Sequence, residues 1–249
     1  MGKDKVSIYR ETLRELTDWI PYLIKESGLP GPRGNLELAQ AVAEEGDELR
    51  FKHLRSYDPE KAPTNTPGEF LAFCGVLGLG KLMREGKTDE LKTLRSFNND
   101  PRWRVREAVA IALQIYGEAN MDALLREMVS WVNGSYLERR AVVAALCEPK
   151  LLRDGKVASQ VLRILDDVTR SVEASLERGS ADFRVLRQGL GYCWSVAVAA
   201  APKEGVKILE RWFTNTDPDI RWIMRENLKK KRLERLDPEW ADTWLKNLT

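Results

Sequence analysis

The sequence predicts an all-α fold, a right-handed solenoid of stacked antiparallel helix pairs that runs through residues 1–249 as one domain. Three observations predict it. Apolar residues recur at spacings of three and four between short Gly and Pro breaks. Alternating segments rich in Val, Ile and Thr are missing, which removes the signal for strands. A unit of helix, polar turn, Asp-Pro and second helix occurs more than once, and such pairs bury their apolar faces only by stacking on neighbours.

Taken in order, the periodicity predicts helices over 4–26, 35–53, 67–85, 88–98, 101–117, 120–132, 135–147, 155–178, 181–200, 203–215, 217–231 and 237–247. Residues 1–66 make N-terminal helices and a loop over 54–66 whose two prolines mark a flexible insertion; 67–233 carry the repeats; 234–249 cap the end. The clearest repeat runs from Leu91 through Asp100-Pro101 into Arg102-Trp103-Arg104-Val105-Arg106. A second runs from Val206 through Asp217-Pro218 into Ile220-Arg221-Trp222, and Met121 to Leu146 is a looser copy with Ser135 as its cap. In each, an Asp or Ser oxygen takes orphan N–H groups of the second helix, and in the two Asp-Pro copies Pro sits where no donor is needed. The string Asp100 to Arg106 resembles the HEAT-repeat consensus.

Composition excludes several classes. Hydrophobic residues make 43% and charged residues 31% of the chain, a globular balance. The longest uncharged stretch, Gln188 to Pro202, is shorter than the ~20 residues of a membrane helix. The start, Met1-Gly2-Lys3-Asp4-Lys5, lacks an apolar leader, and Val6 stands where myristoylation wants Ser or Thr, so a cytoplasmic location is expected. Cys74, Cys147 and Cys193 lie far apart in apolar contexts and read as buried, reduced thiols. His53 is the only histidine, in a helix rich in charge, and reads as a surface residue. Nothing calls for a metal or a cofactor. Net charge is +2, so the total gives no pull toward nucleic acid, but Lys229-Lys230-Lys231-Arg232 and Arg102/Arg104/Arg106 are locally basic.

Two motifs compete for chemistry. Gly75-Val76-Leu77-Gly78-Leu79-Gly80-Lys81 fits part of a phosphate loop, but Leu82 replaces the Ser or Thr that would hold magnesium, and helix precedes it. Close helix packing is the plainer reading. Trp103 and Glu107 lie on the wheel opposite Val105, Val109, Ala112 and Tyr116, together with Ala110 and Gln114. Trp222 and Glu226 repeat that spacing opposite Ile220, Ile223, Met224 and Leu228, with Arg225 and Lys229 beside them. Such second helices line the concave side of solenoids, where indoles, guanidinium groups and carboxylates together seat a partner. The alternative is that each indole packs between repeats. Helix 135–147, entered through Glu138-Arg139-Arg140, and the Gly189-Leu190-Gly191 helix read as central, with Tyr192 and Trp194 in the core.

Over about 90–230 the chain resembles the bacterial alkylpurine DNA glycosylases built from HEAT-like repeats. On that resemblance Trp103 takes the family's Trp place and Glu107 its Asp place; Arg140 takes the Arg place and Tyr192 the last aromatic place. It implies Glu107 as the catalytic carboxylate if the chain is a glycosylase. Glu lengthens the arm by a methylene, and the second Asp of active members is absent. Two functions follow as expectations. The first is a non-catalytic scaffold that binds a protein or peptide through Trp103, Arg140, Tyr192, Trp222 and Glu226. The alternative is DNA work, with Arg104, Arg221, Arg225, Lys229, Lys230, Lys231 and Arg232 on phosphates.

Overall fold

The computed structural model describes residues 4–248. It is all-helical: 74% of the chain is helix, and no strand occurs among the described residues. Residues 1–3, where the absence of a leader and of a lipid site is expected, lie outside the described part. No described helix is long and apolar enough to cross a membrane. The chain forms two compact units that meet in sequence at Asn120 and Met121.

The first unit holds α1 (Lys5–Glu15), α2 (Ile20–Glu26), α3 (Leu36–Glu45), α4 (Glu48–Arg55), α5 (Pro67–Arg84), α6 (Glu90–Ser96), a single 3-10 turn (Phe97–Asn99) and α7 (Trp103–Ala119). Its hub is α5, which packs against α2, α3, α4, α6 and α7. Between Phe70 and Gly80 it carries no charge and is buried on every side, as an all-round apolar helix must be. The phosphate-loop pattern resolves here as close packing. A Cβ at Gly75 would lie 2.3 Å from the Arg55 backbone nitrogen, and one at Gly80 would lie 2.7 Å from the Ala112 carbonyl oxygen. Lys81 donates to the Glu44 and Gly46 carbonyls at 2.9 and 2.8 Å.

The expected helix over 4–26 is two helices, and so is that over 35–53. Asp47 caps α4, accepting from the Arg50 N–H at 2.8 Å; α2 has no side-chain cap, and Asp18 accepts from the N–H of its first residue, Ile20, at 3.0 Å. The loop over 54–66 is pinned rather than loose. The Arg102 guanidinium donates to the Tyr57 carbonyl at 2.8 Å and the Ala62 carbonyl at 3.1 Å, and Ala62 is buried.

The second unit holds α8 (Met121–Val132), α9 (Tyr136–Leu146), α10 (Gly155–Glu173), α11 (Ala181–Ala200), α12 (Pro202–Phe213), α13 (Pro218–Leu228), α14 (Lys231–Leu236) and α15 (Pro238–Asn247). Consecutive helices pack as pairs, α8 with α9, α10 with α11 and α12 with α13. Between pairs, α8 meets α10 and α10 meets α12, while α9 meets α11 and α11 meets α13. The caps predicted at Ser135 and Asp217 are present. Ser135 and Glu138 close a reciprocal box, and Asp217 accepts from the Asp219 and Ile220 N–H groups at 2.9 and 3.2 Å. Trp194 is core, its indole N–H donating to the Thr169 hydroxyl at 3.0 Å. All three cysteines are free and buried, and burial pushes the Cys74 and Cys147 thiols up. His53 is exposed and stacks on Tyr57.

Candidate functional site

In the first unit, the expectation that Asp100 caps the second helix is corrected: Arg102 is the N-cap residue of α7, and no backbone N–H of that helix donates to the side chain of Asp100. Its carboxylate takes two hydrogen bonds from the Arg102 guanidinium, at 2.9 and 2.7 Å, and one from the Arg102 N–H at 2.8 Å. The backbone is still extended at Arg102, so α7 starts at Trp103, two residues later than expected. Arg102 is 1% exposed, and this buried pair is a brace. Arg104 is buried too. Its guanidinium meets the fully buried Glu69 carboxylate at 3.1 Å and donates to the Gly31 carbonyl at 2.7 Å. The expectation that Arg104 takes a phosphate is therefore corrected: its charge is spent on Glu69.

That anchored guanidinium lies 4.5 Å from the centre of the Trp103 ring. Trp103 is 49% exposed, as its place on the wheel predicts. Trp19, Trp131, Trp194, Trp212 and Trp240 each donate their indole N–H to an acceptor. The Trp103 N–H donates to none among the described residues. Beside the indole opens a pocket of about 160 Å³, walled by Phe70, Phe73 and Ile111, floored by Pro32, Gly34 and Leu36, and edged by Arg33, Arg104 and Glu107. Glu107 is half-buried and shares this pocket with Trp103. The wheel's outer face is not all solvent, however: Ala110 is buried.

The pocket floor was not among the expected site residues. Its signal is the run Gly28-Leu29-Pro30-Gly31-Pro32-Arg33-Gly34, with three glycines and two prolines between helices. Gly28 needs its glycine, with φ at +74°. Gly34 lies against the Phe70 ring, where a Cβ would sit 3.5 Å away.

In the second unit the Trp222 arrangement differs. The indole is half-buried, and a Cβ on Gly191 of α11 would lie 3.0 Å from it. The Arg187 guanidinium covers the ring at 4.1 Å and pairs with Asp219 at 2.9 Å. Glu226 is half-buried and pairs with Lys229 at 2.6 Å. Trp222 thus packs onto the neighbouring helix, and the expectation of an indole facing away is corrected. Tyr192 reverses the core expectation: it is 44% exposed, with Arg232 and Lys230 at 5.1 and 5.9 Å from its ring centre. Arg140, on α9, lies alongside Gly189 of α11.

No protein-family model, curated protein or solved structure matches this chain.

The other expected cations divide. Arg221 donates to the Asn247 carbonyl at 3.3 Å, and the Arg225 Nε is buried without an acceptor among the described residues. Lys229 is held by Glu226, while Lys231 is exposed. Among the described residues, no group of three or more His, Cys, Asp or Glu side chains could hold a metal ion. The geometry therefore offers two open aromatic stations, Trp103 in one unit and Tyr192 in the other, and one closed aromatic, Trp222.

Proposed function

We propose that this chain is a HEAT-like, non-catalytic binding module that engages a macromolecular partner, a protein or peptide, by seating one apolar or aromatic group beside Trp103. The carrying observation is the half-exposed indole at a pocket whose walls are already ordered: Arg104 is anchored behind it, and Phe70 and Phe73 are buried. At about 160 Å³ the pocket is close to the ~150 Å³ cavity that accepts a benzene ring, so it suits one ring or one branched side chain. Preorganised aromatic pockets of this kind carry most of the energy at interfaces. The HEAT-like part of the reading is supported in the second unit by the packing of α9, α11 and α13 on one another, beside α8, α10 and α12.

The test is a peptide-display selection against the intact protein, followed by measured affinities for Trp103→Ala with its fold verified by circular dichroism. Selected peptides should lose at least about tenfold in affinity. A peptide set indifferent to Trp103 would remove the reading.

One observation favours a second reading, alkylbase DNA glycosylase: Glu107 edges the same pocket as Trp103. A carboxylate there is suited to stabilising positive charge on a sugar or on an alkylated base. Release of methylated purine from duplex DNA by the wild-type chain, lost in Glu107→Gln, would establish it. No release at any enzyme concentration would end it.

A further inference from the structure

On α11, Leu190, Gly191 and every residue from Cys193 to Val198 are buried, yet Tyr192 between them is 44% exposed. Two cations come to its ring, and the backbone explains how. In a continuous helix, residues 230 and 232 would point to nearly opposite sides. Lys230 instead adopts an extended conformation, φ −82° and ψ 129°, and splits α13 from α14. The break lets the Lys230 ammonium and the Arg232 guanidinium reach the same ring, at 5.9 and 5.1 Å from its centre.

Neither cation has a carboxylate partner among the described residues, whereas neighbouring Lys229 is paired with Glu226 at 2.6 Å and Arg187 with Asp219 at 2.9 Å. Arg232 also stands farther from its ring, at 5.1 Å, than Arg187, which lies 4.1 Å from the Trp222 centre. Tyr192 nevertheless stays 44% exposed, so the two cations leave part of the phenol open. Two like charges at one ring repel, and a ring quadrupole offsets only part of that. An anion offsets it fully, and an anion attached to a flat ring uses the phenol as well.

From this juxtaposition we infer that Tyr192, Lys230 and Arg232 form a nucleotide station for a single-stranded nucleic acid. A base stacks on Tyr192, and its phosphate sits between the ammonium and the guanidinium. Exposed Lys231 adds charge along the path of the strand. The station lies wholly in the second unit.

Fluorescence anisotropy with a labelled oligothymidylate of about twelve residues tests it, on the full chain at several salt concentrations. Binding should weaken linearly on a log–log plot, and the slope should fall by about 0.7 in the double variant Lys230→Gln with Arg232→Gln, since the two cations hold one phosphate between them, with each single variant falling by part of that. Tyr192→Ala should weaken binding on the order of tenfold, while Tyr192→Phe, which keeps the stacking face, should bind like wild type. No binding at low salt would overturn the inference, and so would binding indifferent to Tyr192 and to both cations. Equal affinity for thymidine monophosphate would assign the station to free nucleotides instead of a strand, and preference for a phosphotyrosyl peptide would assign it to a protein ligand; either outcome overturns the strand.

Discussion

Trp103 and Trp222 occupy the same sequence frame. Each sits near the start of a helix that follows Asp-Pro, each has Glu four residues later, and each has arginine beside it. Yet one indole is open and the other is closed. The difference comes from the neighbouring helix. Opposite Trp222, α11 presents Gly191, which has no Cβ to hold the indole off, and Arg187, which lays a guanidinium over the ring while Asp219 holds it. Beside Trp103 the matching guanidinium belongs to Arg104 and is drawn toward buried Glu69, so the ring keeps an exposed side. A helical wheel reports which way a side chain leaves its own helix. It does not report whether the next helix has room to receive it.

The largest effect should come from the anchor of the open station. Arg104→Ala leaves the Glu69 carboxyl buried and without its cation, and breaking a buried pair costs about 3–5 kcal/mol. Urea unfolding should show that loss. Replacing both partners, Arg104→Met with Glu69→Leu, should recover most of it, because the pair itself repays little beyond its own desolvation. If the single variant were as stable as wild type, Arg104 would not be the brace of the pocket.

The two indoles themselves sharpen the comparison next. Trp222→Ala removes a ring packed between Arg187 and Gly191 and should cost about 2 kcal/mol, below the range for a fully buried tryptophan. Trp103→Ala should cost less than about 1 kcal/mol, because much of the ring already meets water. Equal costs, measured by the same unfolding curves, would erase the distinction. Gly191→Val goes at its cause. A branched side chain there drives the indole off α11, at a cost of about 1–2 kcal/mol, and iodide should then quench Trp222 as readily as Trp103.

Much of the helical frame is legible in the residues, because caps and apolar spacing are local. Ser135 with Glu138, and Asp217 ahead of Pro218, do as their types predict. The breaks at Asp18 and Gly46-Asp47 carry the same kind of local signal. They are masked because the apolar spacing runs straight across them. Gly46 marks the second: a Cβ there would lie 2.4 Å from the Phe51 ring. The split at Lys230 has no cap to announce it, since a run of four cations is as fit for helix as for loop. The site is less legible than the frame. Trp103 and Glu107 are readable from one helix, but the pocket they edge needs Phe70 and Phe73 from α5 and the Gly28–Gly34 connection, which only tertiary packing brings together. Arg104 shows the same limit. It reads as a surface cation until its partner, Glu69 in the apolar hub, is known.

The last prediction concerns acid, and it tests the first unit away from either aromatic station. Glu45, at the end of α3, receives the Arg14 guanidinium at 2.8 and 2.6 Å and the Arg10 guanidinium at 2.6 Å. Arg14's hydrogen bonds outweigh the cost of burial and, with those of Arg10, hold the carboxyl down at about 2, against 4.5 for an ordinary glutamate. A carboxyl lowered in the folded state adds stability that is complete above its unfolded value and disappears as pH falls through its folded value. The contribution of Glu45 should therefore be full above about pH 4.5 and gone near pH 2. Arg14 is more than half exposed, so water screens much of the interaction, and about 1 kcal/mol is the expected size. Glu45→Gln should remove that slope from the pH dependence of unfolding while leaving the Trp103 pocket's affinity for its peptides unchanged. An identical acid slope in the variant would mean that α1 and α3 are held together by their apolar faces alone.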